Sequence, residues 1–580
     1  MKTYGNHRTL LLPKERLPLK ESNNTTLSQK INGMNESILS LWVLSSPLLL
    51  ILISLYSRTQ SGASCLGIKQ GLRLASGVNF LTATLGGFLV WQFGTVDSLR
   101  LGGSLGLEIR LDTLSLLMFS MIAVLSWVIF RFSIGYLEGD NRHGLFLGRM
   151  ALTVASVQLL VLAGNATLLW LAWVGTSLAL HRLLVFYPGR HKAQMAARKK
   201  FIMARFGDLF LGGALLLLYV GTGTDQLSGI FAAATSGTLA GGIQEGAALL
   251  LVLAAIFKSA QFPTHSWLVE VMETPTPVSA LLHAGLLNAG PFLITRFAIV
   301  MDGTTVGPAF LIVVSAFTAL FASAAFLTQP SVKTALGYSS AAHMGFSLLS
   351  AGLGVYAAAM LHMVAHSFYK AHSFLSSGSV IDQVRTQRVA MPKRMKSPVR
   401  IAASLFLSFA ICWGIAMLLG VSPLENPALL VVGTLVMLGL TQLFAPVMDS
   451  RRSGRALAIA MGLSAAVATS FFVLEGTMHR YLGTQVPAHA SAPGWMQVLM
   501  YTVLVVFSVA ILLQVLAPTA KAYPFWHRMG IHLRNGFYAN SVLDSWLGTF
   551  RMEQPLTVPQ PKLATPPSQP TPSTPEEVAV

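Results

Sequence analysis

Apolar runs close to 20 residues long recur along almost the whole of this chain. That recurrence constrains the fold more than any other feature. A bilayer core about 30 Å thick takes roughly 20 helical residues per crossing, and every backbone polar group within it must be satisfied internally. The runs fall near 38–57, 74–95, 113–136, 145–163, 166–187, 206–222, 244–270, 275–300, 307–327, 333–353, 355–382, 399–420, 427–447, 456–475 and 495–517. They predict an all-α polytopic membrane protein with roughly 15 crossings. Only 11% of the residues are charged and 53% are hydrophobic, whereas soluble domains carry about 25% charged residues.

The net charge of +18 gives no argument for nucleic acid, because Lys and Arg are concentrated between the runs. One set of alternate loops holds Arg58, Lys69 and Arg73, then Arg190, Lys192, Arg198, Lys199 and Lys200, then Arg385, Arg388, Lys393, Lys396 and Arg400, then Arg451, Arg452 and Arg455. The opposite loops 223–243, 301–306 and 421–426 contain Asp225, Asp302 and Glu425 but no Lys or Arg. The positive-inside rule then places the basic loops in the cytoplasm. An odd number of crossings puts the N-terminus outside and the C-terminus inside. The polar tail 1–33, with Lys2, Arg8, Lys14, Arg16, Lys20 and Lys30, runs against that orientation and lacks the apolar core of a signal peptide. The expectation is a start at Met34 and a transmembrane region over 34–517. Residues 518–554, with Phe525, Trp526, Arg528, Arg534 and Tyr538, read as an interfacial or docking segment, and 555–580 as a disordered Pro-rich end. The two cysteines, Cys65 and Cys412, fit no metal or disulfide pattern. No Walker loop or dinucleotide fingerprint is present, so neither ATP-driven pumping nor NADH binding is supported.

Within this apolar background one stretch is polar and broken: Phe257 to Arg296. Lys258 ends an apolar run, and Pro263 removes a helical hydrogen bond and clashes with the carbonyl of Ser259. Glu273, Pro275 and Pro277 make a second break, and His283 lies one to two turns into the next run. Broken backbone at membrane depth is tolerated only where protein buries it or water lines it, and ionisable residues there mark ion pathways. Arg205 and Asp208, three residues apart, can pair and face Lys258 from a neighbouring helix, or form a simple boundary salt bridge.

His362, His366 and Lys370 follow at spacings of four, which places them along one helix face. Histidine titrates near neutrality, so such a row can pass a proton along a wet seam. The same row also reads as polar glue between helices. A zinc site from the His-x-x-x-His pair lacks a third ligand. His343 lies about three turns into its own run, at the depth where a relay needs a group or where polar packing needs one. His372 lies off the face shared by His362 and His366.

Lys258-Ser259-Ala260-Gln261-Phe262-Pro263 and Pro275-Thr276-Pro277-Val278-Ser279-Ala280-Leu281-Leu282-His283-Ala284 resemble the signature of the antiporter-like membrane subunits. These are subunit L of respiratory complex I with its relatives, and the Mrp-type sodium/proton antiporters. Ser133-Ile134-Gly135-Tyr136, Arg205-Phe206-Gly207-Asp208, Lys333 with Tyr338-Ser339, and the stretch from His362 to Phe374-Leu375 agree, so the resemblance covers 110–380. It implies that Lys258 stores a proton and that His283, His362, His366 and Lys370 carry it onward. His343, Asp208, Arg205 and Glu273 complete the candidate pathway.

The departures from that pattern matter. The family's fifth-span glutamate is replaced in Trp173-Val174-Gly175, so Lys258 needs another counter-charge, Asp208 first and Glu273 second. The charged residue of the twelfth span has no counterpart in 401–420. Pro263-Thr264-His265-Ser266-Trp267-Leu268-Val269-Glu270-Val271-Met272-Glu273-Thr274 and Leu286-Leu287-Asn288-Ala289-Gly290-Pro291-Phe292 look instead like the inorganic carbon uptake branch, DabB. That resemblance implies a non-enzymatic transport subunit of a bacterial inner membrane, without a cofactor of its own. It implies a DabA partner, a zinc protein like a β-carbonic anhydrase. Cation entry, of protons or sodium, would drive the partner's hydration of CO2 to bicarbonate. Complex I and Mrp subunits are the alternatives.

Overall fold

The computed structural model of the chain describes residues 38–60, 62, 65–101, 106–378, 398–421, 427–447, 453–487, 493–516 and 524–547. The tail 1–33, Met34, the loop residues from Arg385 to Lys396, Glu425, Arg451, Arg452 and the end from Pro555 lie outside them. The described residues form a bundle of helices. Among the described residues, 11 helices are long and apolar enough to cross a bilayer, and Ala403–Leu418 and Pro427–Gly439 are shorter apolar helices. The expected number was larger, for a physical reason. Val332–Gly352 and Tyr356–Leu375 are helices of 21 and 20 residues, but Lys333, His343, His362, His366 and Lys370 make them less apolar than the rest.

The element at the centre is the second half of the broken pair. It is buried along its whole length from Thr276 to Arg296. It is itself interrupted: the Thr276–Ala284 helix gives way to a 3-10 turn at Leu286–Asn288 before the Ala289–Arg296 helix begins. Pro277 sits in its first turn, where a missing N–H costs nothing. A Cβ on Gly290 would meet Ser259 Oγ at 2.2 Å and the Ala255 carbonyl at 2.8 Å, so only glycine allows the two broken helices to approach this closely. Trp173, Phe292, Phe297 and Phe374 fill the space around them. A second apolar cluster, around Cys412, Val432, Phe472 and Met500, holds the later helices.

The far end of this central element is tied to the loops. Arg296 forms an ion pair with Asp112, which also accepts from Arg110 Nε at 3.0 Å. Asp112 caps the Thr113–Tyr136 helix through Ser115, the two side chains bonding each other's backbone N–H. Just before it, Arg110–Leu111 pairs antiparallel with Val96–Asp97. Burial alone would raise the Asp112 carboxyl, but the Arg296 and Arg110 guanidinium groups outweigh it and hold the carboxyl well below the usual carboxylate range. At the same end, Arg100 binds Asp225, and Gln226 donates to Glu108 at 2.9 Å.

The opposite, Lys- and Arg-rich end is closed by the Pro524–Arg534 and Ala539–Leu547 helices. Buried Lys199 donates to both carboxylate oxygens of Glu270 at 2.7 and 2.8 Å and to Asn540 Oδ1 at 2.9 Å, and it forms an ion pair with Asp544. The phenyl rings of Phe537 and Phe321 lie 5.6 Å apart. The segment read from sequence as interfacial or docking thus packs, over its described part, against its own chain. Phe525, Val542 and Trp546 remain exposed on its other side.

Candidate ion pathway

The Gly241–Lys258 helix ends on Lys258 itself, and Ala260 follows with left-handed backbone, φ 50°. The expected break beside the lysine is present. Its ammonium is held by the Ala166–Leu184 helix: it donates to the Trp173 carbonyl at 2.9 Å, to Thr176 Oγ1 at 2.9 Å and to Ser177 Oγ at 2.8 Å. Residues spaced by three and four share a helix face, so all three acceptors point the same way, while Val174 falls outside that spacing. The Trp173 ring lies 4.3 Å from the same nitrogen, a cation–π contact. Lys258 makes no ion pair among the described residues.

Asp208, the first expected counter-charge, is the carboxylate that acts on Lys258, although it does not touch it; Glu273, the second, lies elsewhere. The contact of Asp208 is with Arg205, at 2.7 Å. That pairing of Arg205 and Asp208, read from their spacing, is found. Glu273 is exposed at the basic end, and its backbone carbonyl accepts from Arg190. The carboxylate that family resemblance leads one to expect opposite Lys258 is replaced by neutral oxygens.

A second lysine stands where the sequence suggested a surface loop. The His191–Thr222 helix extends well into the bundle, so Lys200 is buried, and its Nζ donates to the Ser177 carbonyl at 2.8 Å. Two lysines, Lys200 buried and Lys258 half-buried, thus converge on one serine.

The later groups form a ladder between two neighbouring antiparallel helices. Lys370 donates to Ser339 Oγ at 2.6 Å. One turn further along both helices, the His343 ring lies 5.0 Å from that of His366 and 5.1 Å from that of His362. His343 Nδ1 and His362 Nε2 are 3.1 Å apart. His283 is buried and stacks on Phe374 at 4.3 Å, with neither ring nitrogen hydrogen-bonded. His366 is likewise buried with both nitrogens unbonded. His372, set aside on spacing, is exposed. No direct hydrogen bond joins the Lys258 group to the ladder among the described residues. What lies between them is polar: Ser259, next to Lys258, donates to the Leu287 carbonyl at 2.7 Å. Asn288, next along, donates to Ser367 Oγ at 2.7 Å, beside His366.

One further ionisable group was missed. The last-but-one long helix runs to Leu482, so Glu475 is inside it rather than at its end. It is buried, and its Oε1 has no hydrogen-bond partner. This helix packs against Tyr356–Leu375. His362 lies six residues from the N-terminus of its helix and Glu475 seven from the C-terminus of its own, each about 10 Å along the axis.

Comparison with known proteins places this arrangement. The family described as "NADH:quinone oxidoreductase/Mrp antiporter, TM" matches residues 163–424, and "NADH-Ubiquinone oxidoreductase (complex I), chain 5 N-terminus" matches 100–147. The chain is 34% identical over 518 residues to the "Probable inorganic carbon transporter subunit DabB2" of Halothiobacillus neapolitanus, covering 87% of this chain and 92% of that one. This chain belongs to the DabB branch of the antiporter-like family. The DabB assignment rests on that nearly end-to-end match. NADH-quinone oxidoreductase subunit L of Escherichia coli is 36% identical, but over 280 residues, which are 48% of this chain and 46% of that one. The fold also resembles a chain in the structure of the Mrp complex from Dietzia sp. DQ12-45-1b, with a TM-score of 0.56 and 22% identity over 89% of this chain and 60% of that one. This chain carries Lys258 at the helix break and the histidines His362 and His366. At position 174 it keeps no carboxylate.

Proposed function

We propose that this chain is the proton-conducting membrane subunit of an energy-coupled inorganic carbon transporter in a bacterial inner membrane. One observation carries the reading: Lys258 is cradled by three neutral oxygens and an aromatic face rather than by a carboxylate. A salt-bridged lysine is held in its charged form by its partner. Here Thr176 and Ser177 can each accept from an ammonium or donate to an amine. Both protonation states of Lys258 can therefore be hydrogen-bonded, which suits a group that takes up and releases a proton.

The proton enters along His362, His343 and His366 with Lys370 and His283 beside them, crosses by the Ser367–Asn288–Ser259 thread, rests on Lys258, and leaves past Ser177 and Lys200 toward the basic end. Glu475, toward the outer end, is the first acceptor. The energy of this downhill flow serves a zinc carbonic-anhydrase-like partner, which hydrates CO2 to bicarbonate and renders that step one-way. The basic loops face the cytoplasm, where the partner binds. The name and near-complete overlap of the Halothiobacillus relative support this reading over a respiratory one.

The test is growth. A bacterium lacking carbonic anhydrase, supplied with this chain and a zinc-ligand protein encoded beside it, grows at ambient CO2; neither protein alone restores growth. Failure of the pair to restore growth defeats the proposal. A run of respiratory subunits encoded beside it would favour complex I.

A further inference from the structure

The ladder contains a third histidine that the sequence pattern lacked. His362 and His366, one turn apart on one helix, face His343 on the next, and one ligand nitrogen from each lies within 4.8 Å of the others. Imidazole nitrogens bound to one tetrahedral zinc at about 2.0–2.1 Å stand about 3.4 Å apart. His343 Nδ1 and His362 Nε2, at 3.1 Å, already have that spacing. His366 supplies the second observation: it is 3% exposed, and both its nitrogens lack a hydrogen-bond partner. A buried imidazole with two unbonded nitrogens is costly unless something else engages it. His343 and His362 are half-buried.

We infer that His343, His362 and His366 form a binding site for a divalent transition-metal ion of the Zn2+ class, and that filling it blocks the ladder. Imidazole suits zinc, copper and nickel and not magnesium or calcium. Three neutral ligands leave a fourth position for water or a small anion, as in open zinc sites. A bound metal engages one nitrogen of each histidine, and those nitrogens can then carry no proton. The binding claim stands on the geometry alone. The block rests on the conduction reading above.

The test uses the full chain purified in detergent, titrated with Co2+ and then Zn2+. Wild type takes up a single Co2+ with the absorption of a four-coordinate ion, and Zn2+ displaces it. His343→Gln and His366→Ala bind at least tenfold more weakly, while His479→Ala, on another helix, binds as wild type does. His343→Gln keeps a polar side chain, so folding is checked by its unchanged elution and melting. Absence of binding by wild type, or equal binding by His343→Gln, overturns the site. In cells, added Zn2+ slows uptake by wild type while Mg2+ at the same concentration does not; uptake unaffected by Zn2+ overturns the block. If wild type without metal takes up no carbon, the conduction reading has failed, and the titration still decides the site.

Discussion

Lys200 and Lys258, from different helices, are both anchored on Ser177, one through its carbonyl at 2.8 Å and the other through its hydroxyl at 2.8 Å. Two ammonium groups this close in a low-dielectric interior repel, and Asp208 offsets this only through space, without touching Lys258. A proton on one disfavours a proton on the other. Ser177→Ala removes the hydroxyl from Lys258 and leaves the carbonyl for Lys200. The expected result is about tenfold slower carbon uptake, equal to about 1.4 kcal/mol in the barrier. Ser177→Thr, which restores a hydroxyl, recovers most of it. Uptake in Ser177→Ala equal to wild type would show that the serine only packs.

The Asp112–Arg296 pair fixes the far end of the central broken helix, and both residues are buried. Asp112→Asn leaves Arg296 charged and poorly compensated, at a cost of about 3–5 kcal/mol. Thermal unfolding in detergent reads this as a lower melting temperature. The sign with pH follows from the depressed carboxyl. The stabilisation is fully present above the unfolded carboxylate value of about 3.9 and is lost as pH falls toward the folded one. Wild type should lose stability on acidification through that window more steeply than Asp112→Asn.

Lys199 ties the Ala539–Leu547 helix to Glu270. Asp544→Ala removes one of the carboxylates around this buried lysine. Limited proteolysis should then cut within 524–547 faster, with the bundle intact. If the cutting rate does not change, the segment is held by its apolar contacts alone.

Glu475 is a buried ionisable group on a helix that packs against the one bearing His362 and His366. Glu475→Gln should lower uptake at least tenfold and leave melting unchanged or raised, because a neutral amide is cheaper to bury than a carboxylate. Loss of assembly in the variant would make Glu475 structural.

Much of this site was legible in the sequence, because its signals are local. A proline five residues after Lys258 breaks a helix wherever the chain goes, and spacings of four put His362, His366 and Lys370 on one face of any helix. The partners were not legible, because they depend on how helices pack. Nothing local says that Thr176 and Ser177 turn toward Lys258, or that Asp208 keeps to Arg205. Lys200 was hidden among basic loop residues until the helix was seen to start at His191 and carry it inward. Glu475 was hidden because the polar residues after it resembled a helix end, whereas the helix runs to Leu482. His343 joined the row only through the antiparallel register of two helices.

The account turns on Lys258 as the group that carries the proton. The direct measurement is accumulation of labelled inorganic carbon by a carbonic-anhydrase-deficient bacterium expressing the chain with the proposed zinc-protein partner. Wild type should accumulate label, and an uncoupler should abolish it. Lys258→Ala should accumulate none above the empty strain while reaching the membrane and binding the partner at wild-type levels. Full accumulation by Lys258→Ala would contradict the account.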